Sequence, residues 1–240
     1  MRIISRLDIK NDFVIKGINL EGLRKVGNPI KLAKKYYDNG IDEIVMIDCV
    51  ASLYKRNNLF NIVEEVSKNI FIPLTLGGGI RSILDIKKAL NSGADKVAIN
   101  SFAIENPIFL REATNFFGSS TIVSYIEAKK LNENKWEPYK YYGRERTNID
   151  LIDWIKKVQD LGCGEILLTS IDADGLNRGF DMNLLNKINN IVNVPIIISG
   201  GLSRADDFKI IKKNYKNVSV CIASALHYEK IKIQDLKNIK

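Results

Sequence analysis

The sequence predicts an α/β fold: a single (β/α)8 barrel spanning residues 1–240, built from two similar half-barrels, about 1–120 and 121–240. Three observations carry that expectation. Short apolar segments of strand type alternate eight times with segments of helical periodicity. The two halves of the chain echo one another, and an internal repeat fixes architecture. Polar residues and glycines recur where the expected strands end, the rim on which such barrels carry their chemistry.

Each expected strand is short and rich in Ile, Val and Leu, as a parallel strand covered on both faces requires. The first unit pairs a strand over 3–8 with a helix near 29–39, separated by a long loop over 10–28. The second has its strand at 43–47 and its helix near 59–68. In the third, a strand over 73–76 turns through Leu76-Gly77-Gly78-Gly79-Ile80-Arg81 into a helix near 83–92. The fourth runs 96–99 and 107–117. The fifth has a strand over 121–127 and a helix near 149–161. Between them lies a second long loop, 131–148, with Trp136, Tyr139, Tyr141 and Tyr142, expected to hold a small hairpin. The sixth, seventh and eighth pair strands at 165–169, 195–198 and 219–222 with helices near 182–191, 205–213 and 233–239. Long loops in a compact domain are often functional lids. A doubly wound sheet would also alternate, but eight units with twofold repetition favour a closed barrel.

The repeat is read from matching stretches. Ile72-Pro73-Leu74-Thr75 and its glycine corner are answered by Val194-Pro195-Ile196-Ile197-Ile198-Ser199-Gly200-Gly201. Gly79 lies 22 residues before Ser101, and Gly201 lies 23 before Ser224. Arg6-Leu7-Asp8-Ile9-Lys10 is answered by Tyr125-Ile126-Glu127-Ala128-Lys129. Glycine at a strand-to-helix corner allows positive φ and lets a ligand approach the bare backbone. Free N–H groups there suit a phosphate. A single such corner is equally a plain tight turn; two matching corners suggest two phosphate sites, one per half. Asp8, Asp48, the Gly77–Gly79 corner, Asn100, Glu127, Asp172, Asp174 and Ser224 all fall on one rim.

Composition is that of a globular chain, 45% hydrophobic and 27% charged. No apolar run reaches the roughly 18 residues of a membrane span. The N-terminus is too short and charged for a signal peptide. The net charge of +8 comes from scattered lysines without a basic block. It therefore reads first as a solvated surface, next as attraction for anionic small substrates, and last as a nucleic-acid site. Cys49, Cys163 and Cys221 form no CxxC pair and read as buried, reduced thiols of a cytoplasmic protein. His227 is the only histidine, read as structural, so no His-rich metal site is expected. The glycine corners lack GxGxxG spacing, so no nicotinamide or flavin cofactor is implied.

Several stretches together resemble the HisF family. They are Arg6-Leu7-Asp8-Ile9-Lys10, Val14-Ile15-Lys16-Gly17, Gly77-Gly78-Gly79-Ile80-Arg81, Ala94-Asp95-Lys96-Val97-Ala98-Ile99-Asn100, and residues 164–175 through Asp172-Ala173-Asp174-Gly175. HisF proteins are the cyclase subunits of imidazole glycerol phosphate synthase, and the likeness covers nearly the whole chain. It implies a (β/α)8 barrel that works with a glutaminase, HisH, at the N-terminal face. Ammonia released there travels through the barrel to a bisphosphorylated substrate.

Carried over residue by residue, the resemblance implies two proton-transfer carboxylates at Asp8 and Glu127, the second being Asp in the family. Glu sets its carboxylate one methylene, about 1.5 Å, further out. A misplacement of that order can cost about a hundredfold in rate. Phosphate and substrate positions fall on Lys16, Asp48, Gly79, Asn100, Ser101, Gly143, Arg144, Asp174, Gly175, Gly201, Ala223 and Ser224. The charged ring that gates ammonia falls on Arg2, Glu43, Lys96 and Glu165; an ordinary structural salt-bridge ring is the alternative.

The chain departs from the family at Arg6, usually small, and at Leu176, usually threonine. Strand alternation puts Arg6 on the face of Asp8, so either it points into the barrel or that strand end twists; a buried cation there needs an anionic partner such as Glu127 or a substrate group. Two chemistries follow: the histidine-pathway cyclase, favoured by the two phosphate corners, or a paralogue supplying ammonia for an amidine on a nucleotide sugar in surface-glycan synthesis, favoured by Arg6 and Glu127. A non-catalytic conduit that docks a glutaminase, and a related isomerase, are further alternatives.

Overall fold

The structure, a computed structural model, describes residues 1–54 and 59–239. Eight parallel strands form the barrel: β1 (Ile3–Lys10), β2 (Glu43–Asp48), β3 (Leu74–Gly77), β4 (Lys96–Ile99), β5 (Ile122–Asn132), β6 (Glu165–Ser170), β7 (Ile196–Ser199) and β8 (Val218–Ile222). Each pairs with its sequence neighbour, and β8 closes on β1 with Ile3 opposite Val220. The main outer helices are α1 (Pro29–Asp38), α2 (Phe60–Ser67), α3 (Ile83–Asn91), α4 (Ile108–Phe117), α5 (Leu151–Asp160), α6 (Met182–Asn189), α7 (Ala205–Asn214) and α8 (Ile233–Lys237). Four of their starts carry the ordinary side-chain cap. Asn28, Ser82, Asp150 and Asp181 each accept a backbone N–H from the first turn of the helix that follows.

The apolar residues form three layers, the first two divided by strand alternation. The largest lies between strands and helices. A second fills the bore with inward residues that include Ile4, Val45, Val123, Leu167 and Ile197. The third lies above the C-terminal rim, where Ile15, Leu20, Cys49, Tyr139, Tyr142 and Ile171 pack together.

That third layer is a lid made by the two long loops. The expected hairpin is present: β5 runs on to Asn132 and pairs antiparallel with Lys135–Lys140. The segment 10–28, expected as a loop, is also a hairpin, with strands Phe13–Ile18 and Glu21–Gly27. Its two-residue turn is Asn19-Leu20, both at positive φ (51° and 63°). Such a turn normally signals itself by Asn-Gly. Here Leu20 accepts the strained conformation while its side chain is buried in the lid.

The glycine corners need glycine. Gly78 has φ 95°, and a Cβ there would lie 2.3 Å from the Asp48 carbonyl oxygen; Gly201 has φ 104°, with the Gly179 carbonyl oxygen 2.0 Å away. The three cysteines are buried and free. His227 stacks on Tyr36, whose hydroxyl is 2.7 Å from Nδ1; burial lowers the imidazole to about 4, so it is neutral. No helix among the described residues is long and apolar enough to cross a membrane.

Candidate active site and the barrel bore

At the N-terminal mouth four charges close a ring. Glu43 accepts from Arg2 (2.7 Å) and from Lys96 (2.6 Å); Glu165 accepts from Lys96 (2.9 Å) and from Arg2. Each carboxylate thus bridges both cations, which offsets the cost of desolvating the two acids. Arg2 also donates to Ser219 Oγ (3.2 Å) on β8. All four ring positions named from the sequence meet here.

Above the ring, β1 sends Ile4, Arg6 and Asp8 inward at every second residue. Arg6 is fully buried. It crosses the bore: Nε donates to Asp8 Oδ1, Nη1 to Thr169 Oγ1 on β6, and Nη2 to the Tyr125 hydroxyl on β5, each at 2.7 Å. The Tyr125 hydroxyl in turn donates to Glu127 Oε1 at 2.7 Å. The ionic partner of Arg6 is therefore Asp8. The expectation that Glu127 neutralises it is corrected: Glu127 is reached only through Tyr125. The cation needs the nearest anion on its own strand face, and Asp8 is two residues away.

Asp8 has a second cation. Lys16, carried by the first lid hairpin, is buried with Nζ 3.3 Å from Asp8 Oδ2 and 2.6 Å from Asp174 Oδ1. Burial alone would raise the Asp8 carboxyl, but Arg6 and Lys16 outweigh it and hold it below its ordinary value. Lys16 stays charged: burial lowers it, and Asp174 and Asp8 more than restore it. Glu127 behaves oppositely. Burial pushes it up to about 7, although Tyr125, Arg6 and the Gly143 N–H favour its anion. Its Oε2 accepts from Asn100 Nδ2 and from Gly143 N, both at 3.0 Å. One carboxylate is thus fixed as an anion and the other sits near neutrality, the separation that divides proton donor from acceptor.

The two glycine corners flank this centre. One pocket is lined by Asp48, Gly78, Gly79, Asn100, Ser101 and Glu127. Gly79 N donates to Ser52 Oγ at 3.2 Å, and Ser101 Oγ accepts from Tyr141 N. Asp48 accepts from Val50 N and Ala51 N, so it also holds the turn after β2. The other pocket is lined by Asp174, Gly175, Gly200, Gly201, Ala223 and Ser224. Ser224 Oγ donates to Asn177 Oδ1 at 3.1 Å. Arg144 stands apart: it is exposed on the outer edge of the lid. Asp172 accepts from Lys130 N at 2.7 Å and braces the β5 extension.

Tyr125 and Thr169 were not named as site residues from the sequence. Their signal was available: each lies on an inward position, and Tyr125 precedes Glu127 by two. Among the described residues, no group of three or more His, Cys, Asp or Glu side chains is arranged to hold a metal ion.

Comparison with known proteins gives a consistent picture. A family model described as "Histidine biosynthesis protein" matches residues 2–232. The chain is similar to the imidazole glycerol phosphate synthase subunit HisF of Legionella pneumophila, 48% identical over 208 residues, which are 87% of this chain and 98% of that protein. It is 45% identical over 237 residues to the HisF subunit of Clostridium botulinum, covering 98% of this chain and 94% of that one. The HisF subunit of Lactococcus lactis is 44% identical over 238 residues, 99% of this chain and 92% of that protein.

Proposed function

The chain belongs to the HisF family of imidazole glycerol phosphate synthase subunits, and from that premise we propose how its residues divide the work. Acting as the cyclase subunit, it uses ammonia from a partner glutaminase. The acceptor is a bisphosphorylated ribonucleotide, and the products are imidazole glycerol phosphate and aminoimidazole carboxamide ribotide. Relatives named imidazole glycerol phosphate synthase subunit HisF, matched over nearly the full length, favour this acceptor over a nucleotide sugar.

The observation that carries the reading is the pair Asp8 and Glu127. They lie near the top of the barrel portions of β1 and β5, opposite strands of an eight-stranded barrel, and their environments push them apart. Asp8 is the base and Glu127, in its protonated form, the acid. The Glu127 substitution is accommodated because Tyr125, Asn100 and Gly143 fix both oxygens; a held carboxylate can transfer protons in defined geometry.

The phosphates of the acceptor occupy the two corners, one at Gly79, Asn100 and Ser101, the other at Gly175, Gly201, Ala223 and Ser224. Lys16, drawn from Asp174 and Asp8, meets an anionic part of the acceptor. The ring of Arg2, Glu43, Lys96 and Glu165 is the ammonia entrance, and a HisH-type glutaminase docks on that face. Asp8, Lys16, Glu127 and Asp174 all lie buried beneath the lid, so the lid opens to admit the acceptor. Arg144, on its outer edge, contacts substrate only after such a movement.

The test is turnover of phosphoribulosyl formimino-aminoimidazole carboxamide ribotide with ammonium salts and the isolated chain, expressed per concentration of free ammonia. Asp8→Asn is expected to lower turnover by about 10²–10⁴-fold, the usual weight of a general acid or base. Absence of turnover by the folded, unaltered chain would overturn the histidine-pathway acceptor.

A further inference from the structure

The Arg6 side chain occupies the bore itself. On β1 it stands two residues above Ile4, which belongs to the apolar layer of the bore, and two below Asp8. Its guanidinium reaches from β1 to Tyr125 on the opposite strand, and to Thr169 on the next. We infer that Arg6 is an inner gate: a bar across the bore, latched to Asp8, that keeps ammonia from the acceptor site until the acceptor engages Asp8. This rests on the reading above that ammonia comes up the bore from the charged ring.

The physical case has three parts. First, a side chain hydrogen-bonded to both sides of the bore stands across its axis. Second, its three anchors are unequal. Two are neutral hydroxyls, and the third is the Asp8 carboxylate, whose charge-assisted bond is roughly twice as strong as a neutral one. That carboxylate is also the group proposed to meet the acceptor. A ligand that competes for Asp8 therefore weakens the strongest anchor, and the bar is released when something above is ready to be aminated. Third, a guanidinium offers only donors and carries fixed positive charge. It repels ammonium while neutral ammonia passes, so the species admitted is the nucleophilic one. The outer ring, with two cations and two anions, has no such preference by net charge.

The chain in complex with a HisH-type glutaminase is supplied with amide-15N glutamine, unlabelled ammonium salt in solution, and the bisphosphorylated acceptor named above. The 15N share of the product reports how much ammonia arrives through the bore without exchanging with solvent. With the unaltered chain, the product carries mostly 15N. In Arg6→Ala, ammonia crosses before the acceptor is engaged and escapes. The 15N share then falls severalfold at low acceptor concentration and recovers as the acceptor approaches saturation. Thr169→Val, which keeps the Arg6–Asp8 pair and removes one anchor, shows a smaller loss in the same direction; it decides the matter if Arg6→Ala does not fold. An unchanged 15N share in folded variants, whatever happens to kcat, would make Arg6 a support for Asp8 alone and overturn the gate. Product without 15N from the unaltered complex would overturn the bore reading on which the gate depends.

Discussion

Asp8 and Glu127 have the same functional group and lie in one buried network, yet their ionisation is driven in opposite directions. The difference is who touches them. Asp8 meets two cations directly; Glu127 meets only neutral donors, with Arg6 held one hydroxyl away. Tyr125→Phe tests this division. Removing the hydroxyl takes away a donor that favours the Glu127 anion, so its pKa rises above the present value of about 7. With Glu127 in the proposed role of protonated acid, the alkaline limb of the pH–rate profile, expressed per free ammonia, is expected to move to higher pH. A fall in rate with an unmoved limb would contradict the assigned role. At this scale the meeting of Asp8, Lys16 and Asp174 on one rim was legible, because strand ends and the family likeness mark them. The partner of Arg6 was not. Alternation tells which face a residue takes; it does not tell how far a long side chain reaches across a closed bore.

The elements were legible almost throughout. Apart from β5, which runs five residues past its expected end into the lid hairpin, the barrel strands and their outer helices begin and end within a few residues of expectation, since parallel strands read as apolar runs and amphipathic helices as a 3.6-residue period. The first lid hairpin escaped, because its Asn19-Leu20 turn relies on a leucine at positive φ and lacks the usual glycine. The corners show the converse, where glycine is obligatory. Gly201→Ala is expected to destabilise the fold by at least about 1–3 kcal/mol, the usual cost of forcing a side chain into a disfavoured backbone region. The clash with the Gly179 carbonyl adds to it. Denaturant unfolding measures the loss. Phosphate affinity should fall with it, because relieving the clash moves the backbone that lines the second pocket. A variant of unchanged stability would contradict the geometry.

Across the whole molecule, the barrel separates two chemical faces by a bore lined first with charge, then with apolar side chains, then with Arg6. Glu43→Gln probes the lower end. It leaves Arg2 and Lys96 sharing Glu165 alone, and the loss of a buried charged acceptor costs on the order of 1–3 kcal/mol. Turnover driven by glutamine in the complex should fall more than turnover driven by added ammonium salt. Equal falls would mean the ring is only structural. The same wall that carries Arg2, Ile4, Arg6 and Asp8 is also the seam of the barrel, for β1 is flanked by β2 and by β8. While a chain is being translated, β1 leaves the ribosome first among the strands and its seam partner leaves last. Until β8 arrives, β1 is an open sheet edge, the kind most prone to pair with the wrong neighbour. The bore therefore does not exist as an enclosed space during synthesis. A nascent or truncated chain that lacks β8 holds Asp8 and Arg6 but has no closed wall around them.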